Sequence, residues 1–177
     1  MRRTTATTDY LKECMGTALL ELMDEKPIEK ISIEEMTARA DVGRSTYFRY
    51  FKSKDEVRSV KLVMLWTRFA TEQGFESLNP GPSNRDVVLL FFEFLYSIKD
   101  INNKIRNAGH SEAILQAFLD ILKLQERKDS FEVYTTSFIA YGLFGIGNSW
   151  MGRKYQESPE EMADIFMKLV KETHWGS

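Results

Sequence analysis

The sequence is poor in residues that carry covalent and metal chemistry. One cysteine, Cys14, and two histidines, His110 and His174, are its whole stock of thiol and imidazole groups. A lone thiol forms no internal disulfide, and the set is too small for a multi-thiolate zinc site. No apolar run approaches the roughly 20 residues that span a bilayer. The polar start MRRTTATTDY has no secretory apolar segment, so a cytoplasmic chain without a membrane partner is expected. A glycine-rich phosphate loop, a nucleophile elbow and triad material beyond the isolated histidines are also missing. The expectation is no catalytic residue, no metal, no cofactor and no enzyme. Adjacent carboxylates such as Glu34–Glu35 and Glu160–Glu161 read as helix-start residues instead.

Charge of one sign is lacking overall, with a net of −2 over 177 residues, so the whole molecule is no polyelectrolyte partner for nucleic acid. The distribution is less even. Residues 39–58 hold six basic groups (Arg39, Arg44, Arg49, Lys52, Lys54, Arg58) against three acids (Asp41, Asp55, Glu56). Residues 62–177 hold 12 basic groups against 15 acidic ones. A small basic patch on a neutral to acidic body fits a docking surface better than a solubility device.

Prolines number only four, at 27, 80, 82 and 159, and strand-like alternation nowhere competes with helical spacing, so the fold class is all-α. Leu11, Cys14/Met15, Ala18/Leu19 and Leu22/Met23 predict a helix over 8–25. Ser32 and Glu35 form a capping box for a second, which ADVG interrupts after Arg39. A third short helix is predicted from Arg44 to Phe51, and a fourth from a Ser53 cap to about Glu76. SLNPGPSN (77–84) reads as a linker. Ser83 and Asp86 then suggest a cap for a helix through Val87–Ile98, and further helices are predicted near 103–108, 111–127, 131–154 and 159–174. The last opens with Ser158, Pro159 and Glu161, a capping box with proline at the first helical position.

Two short helices joined by a four-residue turn, the second basic, make the pattern of a helix-turn-helix. Helical spacing turns Tyr47 and Phe51 inward with Val42, onto Met36, Ala40 and Leu19. Arg44, Ser45, Phe48 and Arg49 project along the other side, with Thr46 and Tyr50 at its margins. Phosphates are met by cations, hydroxyls and backbone donors, and base edges by a few side chains near the helix N-terminus. Arg44 is placed to reach a guanine edge, Thr46 and Tyr50 offer hydroxyls to phosphate, and Lys54 adds a cation at the start of the next helix.

Residues 8–58 resemble the DNA-binding domain of TetR-family transcriptional regulators. The turn and recognition helix of that family read Ala-Gly-Val-Ser-x-Gly-Thr-Phe/Leu-Tyr-x-His-Phe-x-Ser/Asn-Lys-Glu. This sequence reads Ala40-Asp41-Val42-Gly43-Arg44-Ser45-Thr46-Tyr47-Phe48-Arg49-Tyr50-Phe51-Lys52-Ser53-Lys54-Asp55. Three departures stand out. Asp41 replaces the turn glycine, where φ is expected to be positive; Gly43 replaces the serine cap; and Phe48 and Tyr50 stand for Tyr and His. The resemblance implies DNA contacts from Arg44, Ser45, Thr46, Phe48, Arg49, Tyr50 and Lys54.

It also implies an architecture of about nine helices. A three-helix DNA-binding domain (1–56) is joined by helix 4, the connector to about residue 76, to a larger helical domain (57–177) for dimerisation and ligand binding. A pocket for an unknown small-molecule effector would be lined by Phe91, Phe94, Leu95, His110, Phe118, Tyr134, Phe138 and Tyr141. A homodimer interface would use Phe144, Met151, Met162, Ile165, Phe166 and Leu169 on the last two long helices. Segment 131–155 carries Gly142, Gly145, Gly147 and Gly152. Each glycine costs about 1 kcal/mol relative to alanine within a helix, which close helix approach, a ligand or a kink would offset. The implied protein is a bacterial regulator binding a double-stranded, palindromic DNA operator, in the manner of a ligand-responsive repressor. The alternative is a TetR-like coactivator working mainly through a partner protein, suggested by the weaker turn and cap at Asp41 and Gly43.

Overall fold

The computed structural model describes residues 2–75, 84–123 and 126–172. Among them are nine α-helices and no strand: α1 (Arg2–Glu25), α2 (Ile33–Arg39), α3 (Arg44–Tyr50), α4 (Lys54–Glu72), α5 (Arg85–Ser97), α6 (Lys99–Asn107), α7 (Glu112–Ile121), α8 (Ser130–Gly152) and α9 (Pro159–Glu172). A 3-10 turn, Ile28–Lys30, follows Pro27 between α1 and α2; the sequence reading had no element there. Helix α1 begins six residues before the expected start at Thr8, because neither glycine nor proline interrupts 2–7. Residues 77–83 of the expected linker, Ser83 included, and His174 lie outside the described residues.

Helix starts follow local side-chain chemistry. In α2 the Ser32 hydroxyl accepts from Glu35 N at 3.1 Å and the Glu35 carboxylate accepts from Ser32 N at 2.9 Å, the reciprocal box that the spacing predicts. Ser158 and Glu161 repeat it at α9. Ser53 accepts from Glu56 N at the start of α4. The cap of α5 is Asn84, whose side chain accepts from Asp86 N at 3.1 Å. That corrects the reading by one residue, since the helix opens at Arg85.

Helix ends share one device, which the sequence reading largely missed. After α4, Phe75 N reaches Ala70 O and Gly74 N reaches Thr71 O, with Gly74 at φ 79°. After α6, His110 N reaches Ile105 O and Gly109 N reaches Arg106 O, with Gly109 at φ 77°. These are Schellman closures, which satisfy the last carbonyls and require a left-handed residue. The turn of the helix-turn-helix is built the same way. Val42 N bonds Thr37 O and Asp41 N bonds Ala38 O, with Asp41 at φ 54°, the positive φ expected there. At the end of α8, Lys154 (φ 60°) takes that position and Tyr155 (φ 55°) follows it.

The chain divides into two compact units, within α4, α6 and α7: Met1–Leu65 with Lys104–Ala117, and Trp66–Asn103 with Phe118–Ser177. In the first, Met15, Leu19, Leu22, Ile28, Ile31, Met36, Tyr47, Phe51 and Val57 form one buried cluster, with Ala40 and Val42 packed on its edge. Gly16 lets α4 approach α1 closely: a Cβ there would stand 2.7 Å from the Lys61 Cβ. The Lys61 ammonium then reaches Thr17 Oγ1 at 3.0 Å. Residues 104–117 belong here through Lys104 Nζ, which donates to Leu20 O at 3.1 Å, and through the His110 ring, 2.9 Å from the Glu29 carboxylate. Arg58 is fully buried in this unit. Its Nη2 pairs with Asp55, while Nε and Nη1 have no hydrogen-bond partner among the described residues. Burial pushes its guanidinium down to about 10, against the pull of Glu29 and Glu112.

The second unit is built on aromatic rings. Phe91 meets Phe118 edge-on at 4.6 Å, and Trp66 meets Phe94 at 5.1 Å. Trp150 is buried among Phe92, Tyr96 and Tyr155, and its indole N–H donates to Glu157 O at 3.0 Å. Helix α9 packs along α5, tied at one end by Arg85 Nε and the Asp164 carboxylate at 2.6 Å.

Candidate nucleic-acid interface

Helix α3 is seven residues long and follows Gly43, whose cap position supplies no side-chain bond. Two inward rings fasten it. Tyr47 and Phe51 are each 3% exposed, and burying an aromatic ring fully is worth about 2–3 kcal/mol. Helical geometry then carries Arg44, Ser45, Phe48 and Arg49 to the outside, where all four are exposed, with Thr46 and Tyr50 half-buried beside them. The division of faces expected from spacing is the one observed.

Arg44 is held rather than loose. Its Nη1 lies 2.6 Å from a Glu34 carboxylate oxygen on α2, and its guanidinium stands 5.5 Å from the centre of the Phe48 ring. Phe48 is 58% exposed and braced edge-on by Tyr47 at 5.2 Å. Tyr50 closes the other end of the helix. Its hydroxyl is 3.3 Å from Thr8 Oγ1 on α1, and the Lys12 ammonium stands 5.7 Å from its ring centre. The Thr8 hydroxyl first, then Arg49, holds the Tyr50 phenol below its ordinary pKa, with Lys12 adding to the effect. Thr8 and Lys12 escaped the sequence reading because the recognition motif starts thirty residues later.

Lys54 differs from its expected role. Its ammonium donates to Ile28 O at 2.5 Å and Ile31 O at 2.9 Å, so two of its three donors close the 3-10 turn instead of facing outward. Ile28 O also accepts from Ile31 N at 3.1 Å, so the ammonium adds a charged donor to a turn that the backbone also closes. Sequence spacing could not place a lysine against carbonyls more than twenty residues upstream.

Of the residues expected to line an effector pocket, those of the second unit divide between its core and its outer face. Phe91, Phe94, Leu95 and Phe118 are buried in the second unit. Tyr134, Phe138 and Tyr141 lie on the outer face of α8, 74%, 63% and 56% exposed, and His110 belongs to the first unit with Glu29. The cause is the phase of α8. Its buried stripe is Ile139, Leu143, Gly147 and Trp150, which leaves 134, 138 and 141 on the opposite side. The expected dimer set divides as well. Met151, Met162 and Phe166 are buried within their own chain, and Phe144 rests against Phe118 at 6.2 Å, whereas Ile165 and Leu169 are exposed. Helix α9 spends its 162/166 side on its own unit.

Among the described residues no three His, Cys, Asp or Glu side chains gather as a metal site, and no helix is long and apolar enough to cross a membrane.

Comparison with known proteins bears on the same elements. Residues 17–59 match the profile of bacterial regulatory proteins of the tetR family, and residues 91–172 match a transcriptional regulator C-terminal region of that family. A search of curated proteins finds no significant match. Among solved structures, a TetR transcriptional regulator from Rhodococcus sp. RHA1 shares the fold, with a TM-score of 0.57 at 17% identity over 97% of this chain and 100% of that one. With its helix-turn-helix in an all-α fold and two matching profiles over most of its length, the chain belongs to the TetR family of DNA-binding transcriptional regulators.

Proposed function

We propose that the protein is a homodimeric, ligand-responsive repressor that binds a near-palindromic operator, with residues 1–56 contacting DNA and 57–177 regulating and dimerising. The observation that carries the reading is the outer side of α3, where Arg44, Ser45, Phe48 and Arg49 stand exposed on a helix anchored by Tyr47 and Phe51. Arg44, near the N-terminus of that helix, reads a guanine edge, and Thr46 and Tyr50 meet phosphates. Two such helices related by a twofold axis enter successive major grooves about one DNA turn apart.

Dimerisation is supported by the outer face of α8. Phe131, Tyr134, Phe138 and Tyr141 recur at helical spacing and are 56–79% exposed. Gly145 continues that stripe with no atom within 4 Å of where its Cβ would be. An exposed aromatic stripe ending in a bare backbone favours association through close helix packing. Ile165 and Leu169 present a second apolar row on α9. An effector relieves repression by binding the non-operator conformation more tightly, which shifts the population toward it.

Gel shift on the DNA upstream of the chain's own coding sequence, with light scattering for the mass in solution, tests the proposal. The native chain is expected to run as a dimer and to protect two half-sites. Arg44→Ala should lose about tenfold or more in affinity for that DNA, corresponding to roughly 1–3 kcal/mol for one base contact. A monomeric native protein, or an Arg44→Ala variant that binds as tightly as native, refutes it.

A further inference from the structure

We propose that Lys12 on α1 and the Arg49–Tyr50 end of α3 form one phosphate clamp, binding a DNA backbone phosphate beyond the stretch of groove that Arg44 reads. The inference rests on the DNA-binding reading above and adds a helix to it, since α1 otherwise serves as the scaffold of the bundle.

Three observations converge. The Lys12 ammonium is drawn over the Tyr50 ring, 5.7 Å from its centre, so its charge is delivered to the C-terminal end of α3. The Tyr50 hydroxyl is 3.3 Å from Thr8 Oγ1, which fixes the phenol against the same face of α1, one turn before Lys12. Arg49 is exposed at the adjoining position, so a second cation stands next to Tyr50 in the chain, and its charge helps to hold the phenol below its ordinary pKa. Two cations and two hydroxyls are thus gathered around one residue, Tyr50. An anion with several acceptor oxygens is the ligand such a set recognises, and cations with hydroxyls are the usual phosphate partners on a duplex.

Geometry explains why the phosphate belongs to DNA already engaged by α3. Arg44 and Tyr50 are six residues apart, about 9 Å along the helix axis at 1.5 Å per residue. The major groove is about 12 Å wide. With the N-terminal end of α3 over base edges, its C-terminal end therefore arrives at a wall of the groove, where phosphates line the edge. The acid nearest in sequence to Lys12 on the outside of α1 is the exposed Asp9, while Glu13 is engaged with Lys61 at 3.4 Å. The clamp keeps a net positive charge with Asp9 counted.

The test is fluorescence anisotropy against salt concentration, on a duplex carrying the upstream region and on a mixed-sequence duplex without it. Each phosphate neutralised contributes about 0.9 to the slope of log affinity against log salt. Lys12→Ala should lower the slope by about one on both duplexes while leaving the preference between them unchanged. The native-to-variant affinity ratio should shrink about three- to fourfold between roughly 50 and 200 mM salt. Lys12→Arg should restore the slope. Tyr50→Phe should weaken binding without changing the slope, because a neutral hydroxyl releases no counterion. Arg44→Ala should instead reduce the preference between duplexes. An unchanged slope for Lys12→Ala, with Arg44→Ala still losing preference, overturns the clamp and leaves DNA binding standing. Absence of salt-dependent duplex binding by the native chain overturns both. Circular dichroism of each variant shows that the helices are intact, and Lys12→Gln gives a second neutral replacement.

Discussion

Gly16 offers the sharpest stability test, because the space it leaves is filled by backbone-anchored atoms. A methyl group at Gly16 would lie 2.7 Å from Lys61 Cβ and 3.0 Å from both Cγ and Cδ. Carbon atoms pack at about 3.5–4.0 Å, so α1 and α4 must separate by about 1 Å or tilt. The Cβ of Lys61 cannot rotate away, and the Lys61 ammonium is tethered to Thr17 and Glu13 on α1 itself. Overpacking of this kind costs about 1–3 kcal/mol, and the anchored geometry places Gly16→Ala at the upper end. Alanine returns about 1 kcal/mol of helix propensity. The net expectation is a loss of about 2 kcal/mol, a fall in Tm of about 4–8 °C for a chain of this size. Urea unfolding followed by circular dichroism, at fixed protein concentration so that any self-association is held constant, gives the number. The double variant G16A/K61G, which moves the small residue from one helix to the other, should be more stable than the sum of the single changes by more than about 1 kcal/mol. A Gly16→Ala protein as stable as native, or more so, would refute the close crossing of α1 and α4.

Three further expectations follow from the same packing arguments. Gly145→Ala has room within its own subunit and should stabilise the helix by about 1 kcal/mol, yet it should weaken dimerisation in sedimentation equilibrium; unaltered dimer affinity would remove α8 from the interface. Asp55→Ala strips the partner from the buried Arg58 guanidinium and, with the carboxylate itself 57% exposed, should cost about 2 kcal/mol. Arg58→Met in that background should recover most of the loss, and no recovery would mean that the charge is not the cause. The Glu35 carboxyl is held down to about 2, chiefly by the Lys26 ammonium and then by Ser32. A carboxylate with a depressed folded pKa stabilises above its unfolded value near 4.5, and that contribution disappears as pH falls toward 2. Glu35→Gln should therefore be less stable than native at pH 6 and converge with it near pH 2, as thermal melts at the two values would reveal.

The sequence by itself determined the helical class, because apolar spacing and two capping boxes act within a few residues of one another. It also determined which side of α3 is buried, since Tyr47 and the capping Phe51 lie four apart, about one turn of a helix of only seven residues. The left-handed turn at Asp41 was legible through the family resemblance, which puts a glycine at that position. Tertiary structure alone decided matters that join distant segments. Lys54 pairs with carbonyls at Ile28 and Ile31 because the fold brings both within reach of its flexible four-carbon stem. Tyr134, Phe138 and Tyr141 were assigned to a pocket, and Met162 and Phe166 to an interface, because periodicity divides a helix into faces without saying which face meets its own chain. In α8 the outer stripe is as aromatic as many cores, so composition could not break the tie; packing of the opposite stripe in the second unit did. The meeting of Lys12, Thr8 and Tyr50 belongs to the same class, since contact between residues about forty positions apart depends on how α1 and α3 cross.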